Sequence, residues 1–586
     1  MKKAAYILCF LLFCYTTKGQ NSYSLNIIQT DSTKIDLKEI SEASPGFSSE
    51  NEREKYLRKT LILLYDKGYI TASFDSLKRD SSVLTAFLKT GKSYQWAYLQ
   101  KGNVDEGILS EIGYRDKLFY NRPVSGKNFS RLMENILIYC ENNGYPFSTV
   151  KLDSIEFGEN SVSAVLNLTK NKKCTVDSIK ILGDAKVAPV YLYNYIRIKP
   201  GDLYSEKLIR EIASRIRELP FVSEKESPQV IFTKDFTKLA LNLKHKKASH
   251  FSGVLGLLPD EESDKVLITG DARLKLQNAL GRGELIDFNW RKLQTKTQDL
   301  KILFNYPFIL NTPFGADLDL KIYWRDTLFV TIDQRYGIQY ILKGGNYFKA
   351  FLHNRQSNLI STQGYENITA VPDYADISAL GYGLGFKTEK LDYRINPRKG
   401  YSIDLLGSIG NKKIRQNPAL PAQIYDSLKL KTIQYNSQIA GDVFIPLWKR
   451  ATFNIGFTGG YLFNEQLFTN ELYRIGGLKT LRGFDEESIN ASSYSIATLE
   501  FRYLLEQNSY FHLFWNGAYY ENTSVNNRTY GTPFGFGAGI SFETKAGIFA
   551  VSYAFGKHIW RSFGEYHENP ISWRDGKIHF GFVSLF

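Results

Sequence analysis

From about residue 250 to the end of the chain, apolar and polar residues alternate with a period of two. Ile286, Phe288 and Trp290 alternate with Asp287, Asn289 and Arg291. Leu318, Leu320, Ile322 and Trp324 alternate with Asp319, Lys321 and Tyr323, and Phe549, Val551, Tyr553 and Phe555 with the small residues Ala550, Ser552 and Ala554. Successive side chains of a strand point to opposite faces, so the pattern predicts strands with one apolar face. Sixteen such runs can be placed, at about 251–258, 265–276, 282–294, 298–305, 315–325, 328–342, 346–360, 378–394, 399–411, 430–446, 450–463, 493–505, 509–520, 531–543, 546–556 and 577–586. Short turns such as 343–345, 448–449 and 544–545 alternate with connections that include all the long ones, 361–377, 412–429, 464–492 and 557–576. An even strand number, with short turns at one end and long loops at the other, predicts a transmembrane barrel whose apolar face meets lipid. A soluble sandwich has no reason to sort its loops in this way.

Upstream the pattern changes to a repeat. Tyr65-Asp66-Lys67-Gly68-Tyr69-Ile70 returns as Glu141-Asn142-Asn143-Gly144-Tyr145-Pro146, and more faintly as Arg217-Glu218-Leu219-Pro220-Phe221. Tyr69, Tyr145 and Phe221 stand 76 and 76 residues apart, as duplicated modules would. Each marker closes a run with helical periodicity: Leu57, Leu61 and Leu64; Phe129, Leu132, Ile136 and Tyr139; Leu208, Ile212, Ile216 and Leu219. Ser49 with Glu52 reads as a capping box, and Ser205 as an N-cap. Two strand-like runs follow each helix, 71–78 with 83–90, 148–157 with 161–169 and 228–233 with 237–244, and one precedes it, such as 175–182. The modules divide as 20–93, 94–172 and 173–249, with the barrel over 250–586.

Composition sharpens this. Among 586 residues there are 38 tyrosines, 39 phenylalanines and 45 glycines but only 2 methionines. After the N-terminus no apolar run approaches the roughly 20 residues that a membrane helix needs. Residues 1–19 read as a secretory signal: Lys2 and Lys3, an apolar core over 4–15, and small Thr17 and Gly19 before a cleavage site at Gln20. The net charge of +14 suits either a solvated basic surface or basic residues lining a lumen or facing lipid phosphate. Outside the signal only Cys140 and Cys174 remain, too few for a disulfide framework, and either a pair or two free thiols fits. There is no G-x-S-x-G elbow, H-E-x-x-H or P-loop, and the seven histidines lack metal-ligand spacing. We therefore expect no catalytic residue, no metal, no cofactor and no nucleic-acid partner.

The loop before the run 493–505 carries Gly476, Gly477, Leu481, Arg482, Gly483 and Phe484. Its Leu-Arg-Gly-Phe core resembles the (V/L)RG(F/Y) motif of the BamA/TamA superfamily of outer-membrane assembly and translocation proteins. Thr498-Leu499-Glu500-Phe501 is similar to that family's next strand. Phe514-Trp515-Asn516-Gly517 resembles its F-x-D-x-G segment, with Asn516 where an aspartate is expected, and 547–554 resembles its penultimate strand. The 76-residue modules resemble POTRA domains, and three of them resemble the architecture of TamA more than that of the longer BamA. The resemblance implies an α+β set of POTRA repeats followed by an all-β, 16-stranded transmembrane barrel. It implies that the arginine loop folds back into the lumen, where Arg482 meets Glu500, with Asn516 as a weaker second partner for which Asp485 or Glu521 could compensate. The final strand, with Phe580, Phe582 and Phe586, resembles the C-terminal signal of outer-membrane barrels. The implied role is to capture unfolded outer-membrane or secreted clients on periplasmic repeats and help them into or across the outer membrane of a Gram-negative cell. A weakly paired seam between 251–258 and 577–586, loosened by Gly253, Gly256 and Gly581, would assist. Outer-membrane lipid and periplasmic or inner-membrane accessory proteins are the further partners implied. A passive channel, or a transporter dedicated to one or a few exoproteins, is the alternative.

Overall fold

A computed structural model describes residues 23–585 apart from 32–34, 36–45, 81, 260–265, 295–296, 366–367, 394–395, 479, 545–546, 570 and 572–575. The signal segment 1–19 and Phe586 lie outside the described residues. The chain divides into two compact units. The first holds the two N-terminal repeats together with 200–209 and 232–237; the second holds the rest of the third repeat and the barrel.

Each repeat builds a small mixed sheet. In the first, Ser24–Gln29 runs parallel to Val83–Lys89, which pairs antiparallel with Ser73–Asp80. In the second, Gln95–Gln100 and Thr149–Phe157 flank Ser161–Thr169 in the same senses. In the third, Ser178–Gly183 and Val222–Glu224 flank Thr237–His245, which also pairs with Gln229–Phe232. The central strand always alternates cleanly: Leu84, Ala86 and Leu88; Val162, Ala164, Leu166 and Leu168; Leu239, Leu241 and Leu243 are buried against helices.

The helices are Glu50–Asp66, Gly126–Asn142 and Glu206–Glu218, with shorter ones at Glu106–Glu111 and Pro189–Ile196. The capping box at Ser49 is shifted by one residue. Ser49 accepts from the Glu52 amide, but the Glu52 carboxylate returns to the Ser48 amide and hydroxyl, at 2.9 and 2.6 Å. Ser205 accepts from the Leu208 amide at the long distance of 3.5 Å. Cys140 and Cys174 are buried free thiols, and burial pushes the Cys140 thiol upward.

The repeated marker is also a joint. The Asp66 carboxylate accepts from the Lys127 amide at 2.7 Å and from the Ser125 hydroxyl at the next repeat's helix N-terminus. Asn142, 76 residues later, accepts from the Lys207 amide at 2.8 Å and from Ser205. The carbonyls of Gly68 and Gly144 accept from the amides of Tyr94 and Cys174. Both glycines have φ near 90°, which carries the chain out of each helix at a cost most residues would pay in strain.

Among the described residues eighteen strand segments close the barrel. They occupy sixteen positions. Asn527–Gly531 and Phe534–Glu543 form one strand interrupted at Pro533, since both pair with Tyr510–Ser524 and with Ile548–Ser562. Glu565–Asn569 and Lys577–Leu585 likewise share the sixteenth position, both beside Ile548–Ser562. The segment 557–576 is therefore largely a tall hairpin rather than a loop. The outer wall exposes Tyr382, Leu384, Trp448 and Ile578, while the inner wall carries ion pairs such as Arg273 with Asp287 and Lys349 with Asp317. Among the described residues no helix is long and apolar enough to cross a membrane.

Within the second unit, the helix Pro189–Ile196 sits on the short-turn end of the barrel. The Ala188 amide donates to the Gly281 carbonyl at 2.6 Å, and Tyr191 stacks edge-on to Phe308 at 5.5 Å. Any Cβ on Gly283 would lie 2.0 Å from the Tyr191 ring.

Candidate functional site

The connection 464–492 does not project outward. A two-stranded ribbon, Tyr473–Ile475 with Ile489–Ala491, turns it inward. At its base Gly476 and Gly477 have φ of 120° and 94°. The Thr480 hydroxyl bridges the Gly476 amide and carbonyl, and the Gly477 amide donates to the Leu481 carbonyl at 3.0 Å. Leu481 is fully buried, packed with Ile475, Ile489, Ile496 and Tyr520, and Phe484 joins the same cluster.

This base delivers Arg482 to the inner wall. Its Nη1 donates to Glu500 Oε2 at 2.6 Å, and its Nε donates to Asn516 Oδ1 at 2.9 Å. The guanidinium lies 3.6 Å above the Phe514 ring centre, a cation–π arrangement. Asn516 turns its Nδ2 to the Thr498 hydroxyl at 2.7 Å, which fixes its carbonyl toward the arginine. The amide thus supplies the acceptor that a carboxylate would supply, without its charge. A second cation shares the carboxylate: Arg502 Nε donates to Glu500 Oε1 at 2.7 Å, and Arg502 Nη1 donates to Asn396 at 3.0 Å. Arg502 and Asn396 carried no motif and were missed by sequence reasoning. The inward parity of Arg502 relative to Glu500, two residues apart on one strand, was the available signal.

Neither expected compensator reaches Arg482. Asp485 pairs with Lys577 on the sixteenth strand at 2.8 Å, and Glu521 accepts from the Tyr519 hydroxyl. Backbone contacts add to the lock. The loop passes so close to the wall that a Cβ on Gly535 would lie 1.9 Å from the Arg482 carbonyl oxygen, and one on Gly556 2.4 Å from that of Gly483. Three glycines, Gly483 with φ of 95° included, therefore let two backbones touch.

At the long-loop end the lumen is also covered. Phe468 inserts among Ile377, Ile414, Leu420, Ile424 and Tyr425. Lys412, with a fully buried side chain, pairs with Glu471, which accepts from Gln434 at 3.0 Å and from the Phe468 amide at 2.9 Å. Asn470 donates to Ser357 and to the Ala375 carbonyl, each at 2.8 Å.

The barrel closes between its first strand, His250–Pro259, and its last. Among the described residues only His250, Phe251 and Ser252 pair with the last strand, opposite Leu585, Ser584 and Val583. The first and second strands share ten register pairs, from His250 opposite Lys275 to Pro259 opposite Val266. The pairing stops at Gly253. Gly581 lies within the stretch of the last strand that pairs only with Ile548–Ser562. Phe580 and Phe582 flank the Phe549 ring at 6.2 and 4.6 Å.

Residues 278–566 match the model of the Omp85 superfamily domain. The barrel region is thus an Omp85 superfamily domain. Its fold is similar to CdiB from Escherichia coli, at 11% identity over 92% of this chain and 99% of that one, with a TM-score of 0.54. CdiB from Acinetobacter baumannii gives 11% identity, 85% and 90% coverage and a TM-score of 0.53. BamA from Haemophilus ducreyi lacking POTRA domains 1–3 gives 14%, 84% and 100%, with a TM-score of 0.43. An Omp85 domain is an outer-membrane β-barrel, and the arginine loop is a feature of its lumen.

Proposed function

We propose that this protein is an assembly or translocation factor that captures unfolded outer-membrane or secreted clients on periplasmic repeats and helps them insert at the barrel seam. The observation that carries the reading is the three-pair closure between the first and last strands. Residues 253–259 and 577–582 present backbone donors and acceptors at a lipid-facing edge, where unsatisfied groups are costly. A client strand with alternating apolar residues can satisfy both edges and so be templated into a barrel. Nothing in this requires nucleotide, cofactor or covalent chemistry, and we assign none. With the repeats in the periplasm, the long loops face outward. Exposed edges of the repeat sheets, such as Ser73–Asp80 and Thr149–Phe157, are the sites where extended clients or accessory proteins would add a strand.

A passive channel fits less well, because the arginine loop and the Lys412–Glu471 cluster occupy the route that ions would take. Depletion followed by quantification of the outer-membrane proteome tests the proposal. A broad fall in barrel proteins indicates a general insertase, loss of one or a few surface proteins indicates a dedicated transporter, and no change refutes both.

A further inference from the structure

The arginine loop touches both sides of the seam. On the last-strand side it meets five consecutive wall strands: Glu500, Asn516, Gly535, Gly556 and, through Asp485, Lys577. On the other side Glu487 reaches the third strand, Leu285–Gln294, and Glu486 lies 4.0 Å from the same arginine, Arg291. Glu487 Oε1 accepts from Arg291 Nη2 at 2.8 Å, and Arg291 also pairs with Asp299 on the fourth strand. Arg474, in the opposite arm of the ribbon, donates to Glu487 at 3.1 Å and lies 3.5 Å over the Tyr323 ring of the fifth strand. These side chains are mostly removed from solvent, with Arg291, Arg474 and Glu487 only 13, 10 and 15% exposed. Glu487 stands in the left-handed region, φ 55°, a conformation a non-glycine residue keeps where its surroundings over-determine it.

Between the sixteenth and third strands lie only the first and second. The seam there has three register pairs, while the interior contacts span it with ion pairs and a cation over an aromatic face. We propose that the loop is a latch across the seam, with Arg482 and Asp485 anchoring it to the closing side and Glu487, held by Arg291 and Arg474, anchoring it to the opening side. While the latch is engaged, the third and sixteenth strands keep a fixed separation. Admitting a new strand requires the gap to widen by about one strand spacing, roughly 5 Å, so Glu487 must first leave Arg291. The regulatory consequence rests on the reading that the seam admits clients; the latch itself does not.

Paired spin labels at Trp290→Cys and Ile578→Cys, outward positions on the third and sixteenth strands, read the gap directly by pulsed electron resonance in the full protein, with Cys140 and Cys174 replaced by Ala. The latched protein should give one narrow distance distribution. Glu487→Gln should add a population longer by about 5 Å or more. Asp485→Asn, at the solvent-exposed anchor, should shift the distribution in the same direction by less, and it decides the matter if Glu487→Gln fails to reach a heat-modifiable, folded barrel. A folded Glu487→Gln variant with an unchanged distribution overturns the latch. Client insertion is measured separately, so widening without a client defect refutes the functional reading while leaving the latch in place.

Discussion

At the scale of single residues, Arg482 combines an ion pair, an amide acceptor and an aromatic face in one side chain. A planar guanidinium can meet all three at once; an ammonium cannot. Arg482→Lys should therefore keep the pair with Glu500 but lose Asn516, and Arg482→Ala should leave Glu500 with Arg502 alone. Breaking one partner from a buried pair costs about 3–5 kcal/mol where nothing compensates, and the second arginine should bring the loss to roughly half that. Urea midpoints of the reconstituted barrel should fall in the order wild type, Lys, Ala. Asn516→Asp tests the departure from the family pattern. It places a second carboxylate beside the guanidinium while the Thr498 hydroxyl can turn to donate, so the midpoint should rise; a fall would show that the amide donor to Thr498 matters more. Asp31 gives a pH signature outside the membrane. Burial opposes its ionisation, but hydrogen bonds from the Thr90 hydroxyl and amide, Gln29 and the Gly91 amide outweigh it and bring its pKa from 3.8 to about 2. A depressed value means that the stabilisation is present above the unfolded pKa and lost as pH falls from about 4 toward 2. The site is open to solvent, so the effect on the first repeat should be under about 1 kcal/mol, and Asp31→Asn should abolish it in acid unfolding followed by amide exchange.

At the scale of elements, the repeat marker has two tasks that its sequence does not announce separately. Gly68 and Gly144 turn the chain, and Asp66 and Asn142 cap the helix of the following module. Replacing an N-cap partner by alanine typically costs about 1 kcal/mol. Asp66→Ala should loosen the helix Gly126–Asn142 at its N-terminal turn while leaving Glu50–Asp66 intact. Limited proteolysis should show new cleavage near 122–126, and equal protection in both proteins would argue that Ser125 suffices. In the barrel, Gly535 marks where loop and wall backbones touch. Gly535→Ala should displace Arg482 by at least the overlap of its new methyl, and the loss in midpoint should approach that of Arg482→Ala.

At the scale of the whole molecule, the sheet is continuous around fifteen joints and weak at one. A disulfide between Phe251→Cys and Ser584→Cys, which sit opposite each other, should lock that joint. The oxidised protein should remain folded and heat-modifiable but fail to support client assembly, and reduction should restore it. Full activity in the oxidised form would place the client route elsewhere.

The alternation of apolar and polar residues determined the barrel, its sixteen positions and the inward parity of Glu500, because strand geometry has a period of two whatever the neighbours. The 76-residue spacing pointed to duplicated modules, because a repeated run of helix and strand patterns builds a similar small sheet each time. The motif around Arg482 pointed to the lumen only through resemblance. What tertiary structure decided was pairing at a distance. Asp485 chose Lys577 over Arg482, Arg502 joined Glu500, and Glu487 crossed the seam to Arg291. Those choices depend on which side chains the closed barrel brings within a few ångströms of one another, and on how little water remains to screen them. Sequence spacing carries no record of either. The seam shows the division clearly: its glycines are visible in the chain, but its three-pair length is a property of how the sheet closes on itself.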